Sequence, residues 1–223
     1  MSSKTPDSAP ALIIIGAGGH AVSVADVAHS AGYRVAAFVD PAKAGGTLLG
    51  VTIVEAADTL GAPANFAFAI AVGDNAVRAR VHQALCDTHG ELHFPALIHA
   101  SAVISPYSQV EAGTVIMALA AVGPNSRIGR FCLINTRASL DHDCRLADYA
   151  SLAPAAITGG NVRIGERSAI SIGAVIKHGL RVGQDSVLGA NSYLHRDLAD
   201  NLVAYGNPAR SVRSRVAGEP YLS

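Results

Sequence analysis

The sequence predicts an α/β domain followed by a parallel β-helix, and two observations carry that prediction. From Ile104 to Leu194 every sixth residue is aliphatic, sixteen sites in succession with Thr158 as the single break. Before residue 100 this period is absent. There an apolar run, a glycine turn, a helical pattern, a second apolar run and an acid follow one another in the order of a βαβ unit. Composition shifts between Ala96 and Ser101, which divides the chain into an α/β domain over 1–97 and a repeat domain with a C-terminal cap over 98–223.

The first ten residues are polar and contain proline, and are expected to fray. Residues 11–15 read as a short apolar strand, Gly16-Ala-Gly-Gly-His20 as a glycine turn, and 21–31 as a helix ending at Gly32. A second strand over 34–39 ends at Asp40. A buried strand over 66–72, the turn Gly73-Asp-Asn75 and a helix from 76 to about 89 come next, and 92–98 supplies the last strand before the repeats.

A period of six fits neither the helical 3.6 nor the heptad, and being even it suits strands that alternate inward and outward. Short units that cannot bury an apolar face alone must stack, and a hexapeptide period is the signature of a parallel β-helix. At three units per turn the sixteen give about five coils. Four residues after each aliphatic site the side chain is small, as at Ser108, Ala120, Cys132, Cys144 and Ala156, where a corner leaves little room; Val162, Leu180 and Leu198 are exceptions. Gly123, Gly129, Gly165, Gly183 and Gly189, each one residue after an aliphatic site, read as tight corners. Gly206-Asn-Pro-Ala-Arg210 reads as a terminating turn in the cap that a stacked array needs.

Half of the 223 residues are hydrophobic, enough for a sizeable core. Formal net charge is zero and no basic run is interleaved with aromatics, so the footprint of a nucleic-acid binder is missing. The apolar stretch near the start is too short to span a membrane, and a glycine turn stands where a signal peptide needs its cleavage site, so the expected location is the cytoplasm. Cys86, Cys132 and Cys144 make an odd count without metal-ligand spacing; the last two occupy corner sites and read as compact buried residues. His89, His93 and His99 lack a carboxylate or cysteine partner set, so no metal site is expected.

Two places carry chemistry. Gly16-x-Gly18-x-x-Ala21 with Asp40 some twenty residues on matches the loose nucleotide fingerprint, in which bare backbone N–H groups approach phosphate at a helix N-terminus. The plain alternative is a strand-to-helix turn with no ligand. An NAD-linked oxidoreductase would need a second half-sheet, and about 95 residues do not house one. In the repeats, His142 stands between Asp141 and Asp143. An imidazole titrates near neutrality, and a neighbouring carboxylate orients it and raises its basicity, so this triplet suits a general base. A solvated surface histidine is the plain alternative.

These features together resemble a known family. Ile14-Ile-Gly-Ala-Gly-Gly-His20, Val72-Gly-Asp-Asn75 with Arg78, Ile134-Asn-Thr136, Asp141-His-Asp-Cys144, Gly160-Asn161 and Gly206-Asn-Pro-Ala-Arg210 are similar to motifs of the left-handed β-helix nucleotide-sugar acetyltransferases, the group containing sialic acid O-, bacillosamine N- and perosamine N-acetyltransferases. The resemblance implies a left-handed β-helix and transfer of acetyl from acetyl-CoA, with no metal, to the C4 amine of a UDP- or GDP-linked sugar in surface glycan synthesis. It also implies a homotrimer with sites between subunits. His142 matches the base and Asp143 the acid beside it. Gly18, Gly19, His20, Asp40, Asp74, Asn75 and Asn135 match positions at the nucleotide-sugar, and Ser151, Gly160, Ile172 and Ala190 positions at the coenzyme. Ser151 departs from the pattern, since many relatives carry histidine there. A hydroxyl acceptor, or a non-catalytic nucleotide-sensing solenoid, are the rival readings.

Overall fold

The computed structural model describes residues 9–221, so most of the segment expected to fray lies outside the described residues. The first domain contains β1 (Ala11–Ile15), α1 (Gly19–Ser30), β2 (Arg34–Val39), β3 (Thr47–Leu48), β4 (Val51–Val54), β5 (Ala67–Ile70) and α2 (Asn75–His89). The sheet order is β3-β4-β2-β1-β5, parallel except for the β3–β4 hairpin. β1 lies between β2 and β5 and is apolar on both sides, because a parallel sheet is covered on both faces. Leu12 and Ile14 pack with α1, while Ile13 and Ile15 share the opposite cluster with Phe68 and Phe94. Both clusters run on into the second domain, the first through Leu97, Val115 and Leu133 and the second through Phe131 and Tyr149.

Two differences from the sequence expectations have simple causes. The β3–β4 hairpin is missing from the sequence reading because its two-residue turn is Leu49-Gly50, with φ of 52° and 74°. Turns with two positive φ values favour Asn-Gly or Asp-Gly, and a leucine there gives no signal. The strand expected over 92–98 is broken: His93 makes an isolated bridge to Ala67, Pro95 cannot donate to a ladder, and only Leu97–Ile98 is strand. That segment pairs with Val115–Ile116 and is the first rung of the β-helix.

The β-helix has three faces of two-residue strands. The first holds strands at 97–98, 115–116, 133–134, 151–152, 169–170 and 187–188, the second those at 103–104, 121–122, 139–140, 157–158, 175–176 and 193–194, and the third those at 109–110, 127–128, 145–146, 163–164 and 181–182. Neighbours on a face are parallel and 18 residues apart, as in Leu133↔Ser151, Ala121↔Ser139 and Arg127↔Arg145. The second residue of each strand points to the axis, so Ile116, Ile134, Leu140, Leu146, Leu152 and Ile164 form one buried column with the small residues Cys132, Ala138, Cys144 and Ala150.

The corners correct one expectation. The left-handed backbone is borne by the residue just before each small one, among them Asn125, Phe131, Arg137, Asp143 and Tyr149. The glycines one residue after the aliphatic sites do not have left-handed φ. They are required by close approach of the next coil: a Cβ on Gly123 would lie 2.8 Å from backbone atoms of Asp141 and His142. The array ends in the antiparallel hairpin of Leu202–Gly206 and Ala209–Ser214, which extends the first face.

α2 is fixed across the junction by one side chain. Arg78 is buried and donates to the carbonyls of Val72, Gly73, Phe131 and Tyr149 and to Oδ1 of Asn75. His82 on the same helix stacks on Phe131 and meets the Tyr149 hydroxyl at 2.8 Å.

Candidate active site

The edge between the second and third faces carries His142 and Asp143. Asp143 has φ 59°, so the chain bends between these neighbours and both side chains project from one corner. Nδ1 of His142 then lies 2.7 Å from Oδ2 of Asp143. Extended strand neighbours would point to opposite faces. The other carboxylate oxygen of Asp143 accepts from the side-chain amide of Asn125, which occupies the same corner one coil earlier. The carboxylate hydrogen bond raises the pKa of His142, while the imidazole and then Asn125 hold the Asp143 carboxyl below its ordinary value. With Nδ1 bonded to a carboxylate, the tautomer is fixed and Nε2 is left as the proton acceptor.

The corner beneath is rigid. Asp141 accepts the His142 backbone N–H through Oδ1, and its own N–H donates to Oγ1 of Thr158 at 3.2 Å. Thr158, the one break in the aliphatic column, is therefore an internal acceptor for this corner. Gly160 lies one coil on, directly under the imidazole, where any Cβ would collide with the ring.

A second region lies on the edge between the first and second faces. A pocket of about 390 Å³ there is lined by His20, Asn135, Ser151, Ile172, Ala190 and Tyr221, with Gly73 and Tyr205 beside them. Burial, followed by the charge of Arg78, lowers the His20 pKa to about 4, so this imidazole is neutral. Oδ1 of Asn135 accepts the N–H of Thr136. Ser151 is buried, accepts from Nδ2 of Asn75 at 3.0 Å and sits 3.1 Å from the Tyr221 hydroxyl.

His20 joins this pocket to the glycine turn. Gly18 caps α1 and Gly19 opens it, and a Cβ on either would meet nothing in the protein. Neither packing nor a left-handed φ demands glycine there, so the bare backbone at the helix N-terminus is what distinguishes it. Asp40 accepts from the N–H groups of Ala17 and Ala42, and Lys43 donates through Nζ to the Ala17 carbonyl, bringing a cation to the same turn.

The predicted residues thus fall in two groups. His142, Asp143 and Gly160 are together on one edge; His20, Asn135, Ser151, Ile172 and Ala190 are together on another, with Gly18, Gly19 and Asp40 at the adjoining turn. Asp74 and Asn75 are engaged in structure: Asp74 caps α2 and accepts the Tyr221 N–H, and both hydrogens of the Asn75 amide go to Ser151, Arg167 and Ser168.

The comparisons agree with this architecture. Residues 11–85 match the family model described as the PglD N-terminal domain. A histidine-to-alanine mutant of GDP-perosamine N-acetyl transferase from Caulobacter crescentus, solved with CoA and GDP-perosamine, is 35% identical, with 92% of this chain and 97% of that chain covered and a TM-score of 0.85. The acetyltransferase domain of PglB from Neisseria gonorrhoeae FA1090, in complex with acetyl coenzyme A, is 32% identical over 92% of this chain and 100% of that chain, with a TM-score of 0.85. The chain belongs to the nucleotide-sugar acetyltransferase family. WeeI from Acinetobacter baumannii AYE is a further relative at 27% identity, covering 90% of this chain and 99% of that chain with a TM-score of 0.81. No curated protein matches significantly. As a member of this family the chain is an acetyl-CoA-dependent enzyme whose β-helix is left-handed.

Among the residues of this acetyltransferase, sequence reasoning missed Asn125, Thr158, Lys43 and Tyr221 as parts of the site. Asn125 was legible in principle, since it precedes Asp143 by the 18 residues of one coil. Tyr221 follows the repeats and carries no periodic signal. The cysteines are free; Cys132 is buried and its thiol is pushed up to about 12 by burial, so it is no nucleophile. Among the described residues no group of three His, Cys, Asp or Glu side chains could hold a metal ion, and no helix is long and apolar enough to cross a membrane.

Proposed function

We propose that the enzyme transfers acetyl from acetyl-CoA to an amine, at C4, of a UDP- or GDP-linked amino-deoxy sugar, in the cytoplasm, for glycan synthesis. The observation that carries this reading is the Asn125–Asp143–His142 relay, which leaves Nε2 of an activated imidazole at an exposed corner. Of the relatives with that fold, one is named as an N-acetyl transferase and was solved with CoA and GDP-perosamine, and another as an acetyltransferase domain solved with acetyl coenzyme A.

The amine nitrogen attacks the thioester carbonyl carbon while Nε2 of His142 takes the amine proton, and Asp143 steadies the resulting imidazolium. The tetrahedral oxyanion is held by a backbone N–H near Gly160. Collapse breaks the carbon–sulfur bond, and the departing thiolate receives the proton from His142. No acyl-enzyme is needed. An amine fits better than a hydroxyl, whose much higher pKa asks more of the base.

The nucleotide phosphates approach the turn at Gly18 and Gly19, with Asp40 and His20 beside the ribose and sugar and Asp74 and Asn75 shaping the loop behind. The coenzyme runs past Ser151, Ile172 and Ala190. Within one chain the base and this pocket lie on different edges, and His142 keeps 55% of its side chain exposed. The second face between those edges presents Val103, Ile157 and Val175 to the outside. A homotrimer that turns this face inward hides the apolar surface and sets the base of one subunit against the pocket of the next.

The test is acetyl-CoA turnover, followed as free thiol, against UDP- and GDP-linked 4-amino and hydroxy sugars, with wild type and His142→Ala. Turnover with an amino sugar, reduced at least about a hundredfold in the variant, is the expected result. Full activity in the variant removes the base assignment.

A further inference from the structure

The C-terminal segment brings to the pocket a group that the reaction just described does not use. Beyond the terminal hairpin the chain turns back along the first face and is tied at several points. Arg215 donates to the carbonyls of Asp185 and Glu219, the Gly218 N–H reaches Oδ1 of Asp185 at 3.2 Å, and the Tyr221 N–H reaches Oδ2 of Asp74 at 2.7 Å. The Tyr221 ring packs on Ala169, Val187 and Val203. Its hydroxyl stands in the pocket wall beside Ser151 and Gly73.

Counting hydrogens fixes the direction of each bond in this wall. Oδ1 of Asn75 accepts from Arg78 at 2.7 Å, so the group that Asn75 turns to Ser151 at 3.0 Å is its NH2, and Oγ of Ser151 accepts. The Gly73 carbonyl, 3.2 Å from the Tyr221 hydroxyl, can only accept, and burial raises the Tyr221 pKa, so the phenol keeps the hydrogen that it gives to that carbonyl. Each hydroxyl has one hydrogen to give. The 3.1 Å contact between the two hydroxyls is therefore Ser151 donating to Tyr221. The reverse direction leaves the hydrogen of the buried Ser151 without an acceptor among the described residues, which costs stability.

Both hydrogens are thus engaged inside the protein, and Ser151 and Tyr221 show the pocket lone pairs. Such a wall suits a ligand group that brings N–H or O–H and disfavours one that brings lone pairs alone. His20 and Asn135, assigned above to the sugar, and Ile172 and Ala190, assigned to the coenzyme, line this one pocket, so on that reading the sugar amine and the thioester meet in it. Of the two reacting groups only the amine carries hydrogens. One N–H leaves with the base and another stays in the amide product, so an acceptor can hold the amine throughout; a hydroxyl has no second hydrogen.

We infer that Tyr221 is a specificity-determining residue of the acetyl transfer: with Ser151 it forms an acceptor wall that holds an N–H of the sugar amine. The inference rests on the acetyl transfer proposed above.

The test is calorimetric titration of wild type, Tyr221→Phe and Ser151→Ala with UDP- and GDP-linked 4-amino sugars and with their 4-deoxy-4-fluoro counterparts, which cannot donate at that carbon. Phenylalanine keeps the ring packing and the backbone bond to Asp74 but removes the acceptor of the Ser151 hydrogen, which then turns to the pocket. The ratio of the two Kd values cancels any general loss of binding. The expected result is a preference for the amine of about tenfold in wild type that disappears in Tyr221→Phe and persists in Ser151→Ala, where the Tyr221 oxygen remains. A preference unchanged in Tyr221→Phe, lost in Ser151→Ala, or absent from the wild type overturns the inference. If the preference follows Tyr221 but no acetyl is transferred, the wall stands and the reaction falls; if acetyl is transferred and the preference ignores Tyr221, the reaction stands and the wall falls. A wild type that binds none of the amino sugars removes both.

Discussion

Asp143 reaches back to the residue that precedes it: its Oδ2 lies 2.7 Å from Nδ1 of His142, and a left-handed φ of 59° makes that possible. At this corner the bend brings two sequence neighbours together as an imidazole–carboxylate pair. The pair sets a pH dependence whose sign is determined. A base must be neutral to accept a proton, and the carboxylate hydrogen bond raises the His142 pKa, so activity should fall as pH drops through a value above the ordinary 6.5. In Asp143→Asn the imidazolium loses its partner, and the acid limb of the kcat/KM profile should move to lower pH while the plateau drops. An unmoved limb in the variant would show that another group controls it.

Gly160 separates catalysis from stability. Its φ is not left-handed, so alanine strains no backbone, yet the new Cβ would strike the His142 ring. Gly160→Ala should push the imidazole off its site and lower kcat by about a hundredfold while the melting temperature changes little. A crystal structure of the variant with the ring unmoved and activity intact would contradict this.

Arg78 makes the opposite case. Its guanidinium satisfies four carbonyls and the Asn75 amide oxygen across the domain junction. Arg78→Met fills similar space but leaves these acceptors buried without donors, at about 1–3 kcal/mol for each that water cannot reach. A total loss above about 3 kcal/mol is expected by denaturant titration. Arg78→Lys should recover little, because an ammonium cannot span the same fork.

Legibility in the sequence followed the origin of each feature. The β-helix was readable because one physical demand, filling a narrow axis, recurs every six residues from Ile104 to Leu194 and was spoiled only at Thr158. The triplet around His142 was readable as an outward-facing cluster because charged residues have no place in that axis, but that Asp143 and not Asp141 meets the imidazole was not, since it depends on the left-handed φ of Asp143. The roles of Asn75 and Asp74 were not readable either: a loop polar residue looks the same whether it meets a ligand or ties two domains together, and only the bonds to Ser151 and Tyr221 distinguish them. Leu49-Gly50 hid a hairpin, and nothing in the sequence signals that Gly160 lies against the ring of His142.

His20 predicts the acid stability of the enzyme. Burial and the nearby Arg78 charge lower its pKa from 6.5 to about 4, so the unfolded chain binds this proton more readily than the folded one. Where the unfolded state holds more protons, stability rises with pH. The contribution of His20 is therefore complete above pH 6.5 and is lost as pH falls from 6.5 towards about 4. One proton across this window gives a slope of at most about 1.4 kcal/mol per pH unit. Denaturant unfolding measured at intervals from pH 4 to 7 should show that slope in the wild type and a shallower one in His20→Gln. If the two proteins lose stability in parallel, the acid sensitivity belongs to other groups and His20 is not held neutral in the fold.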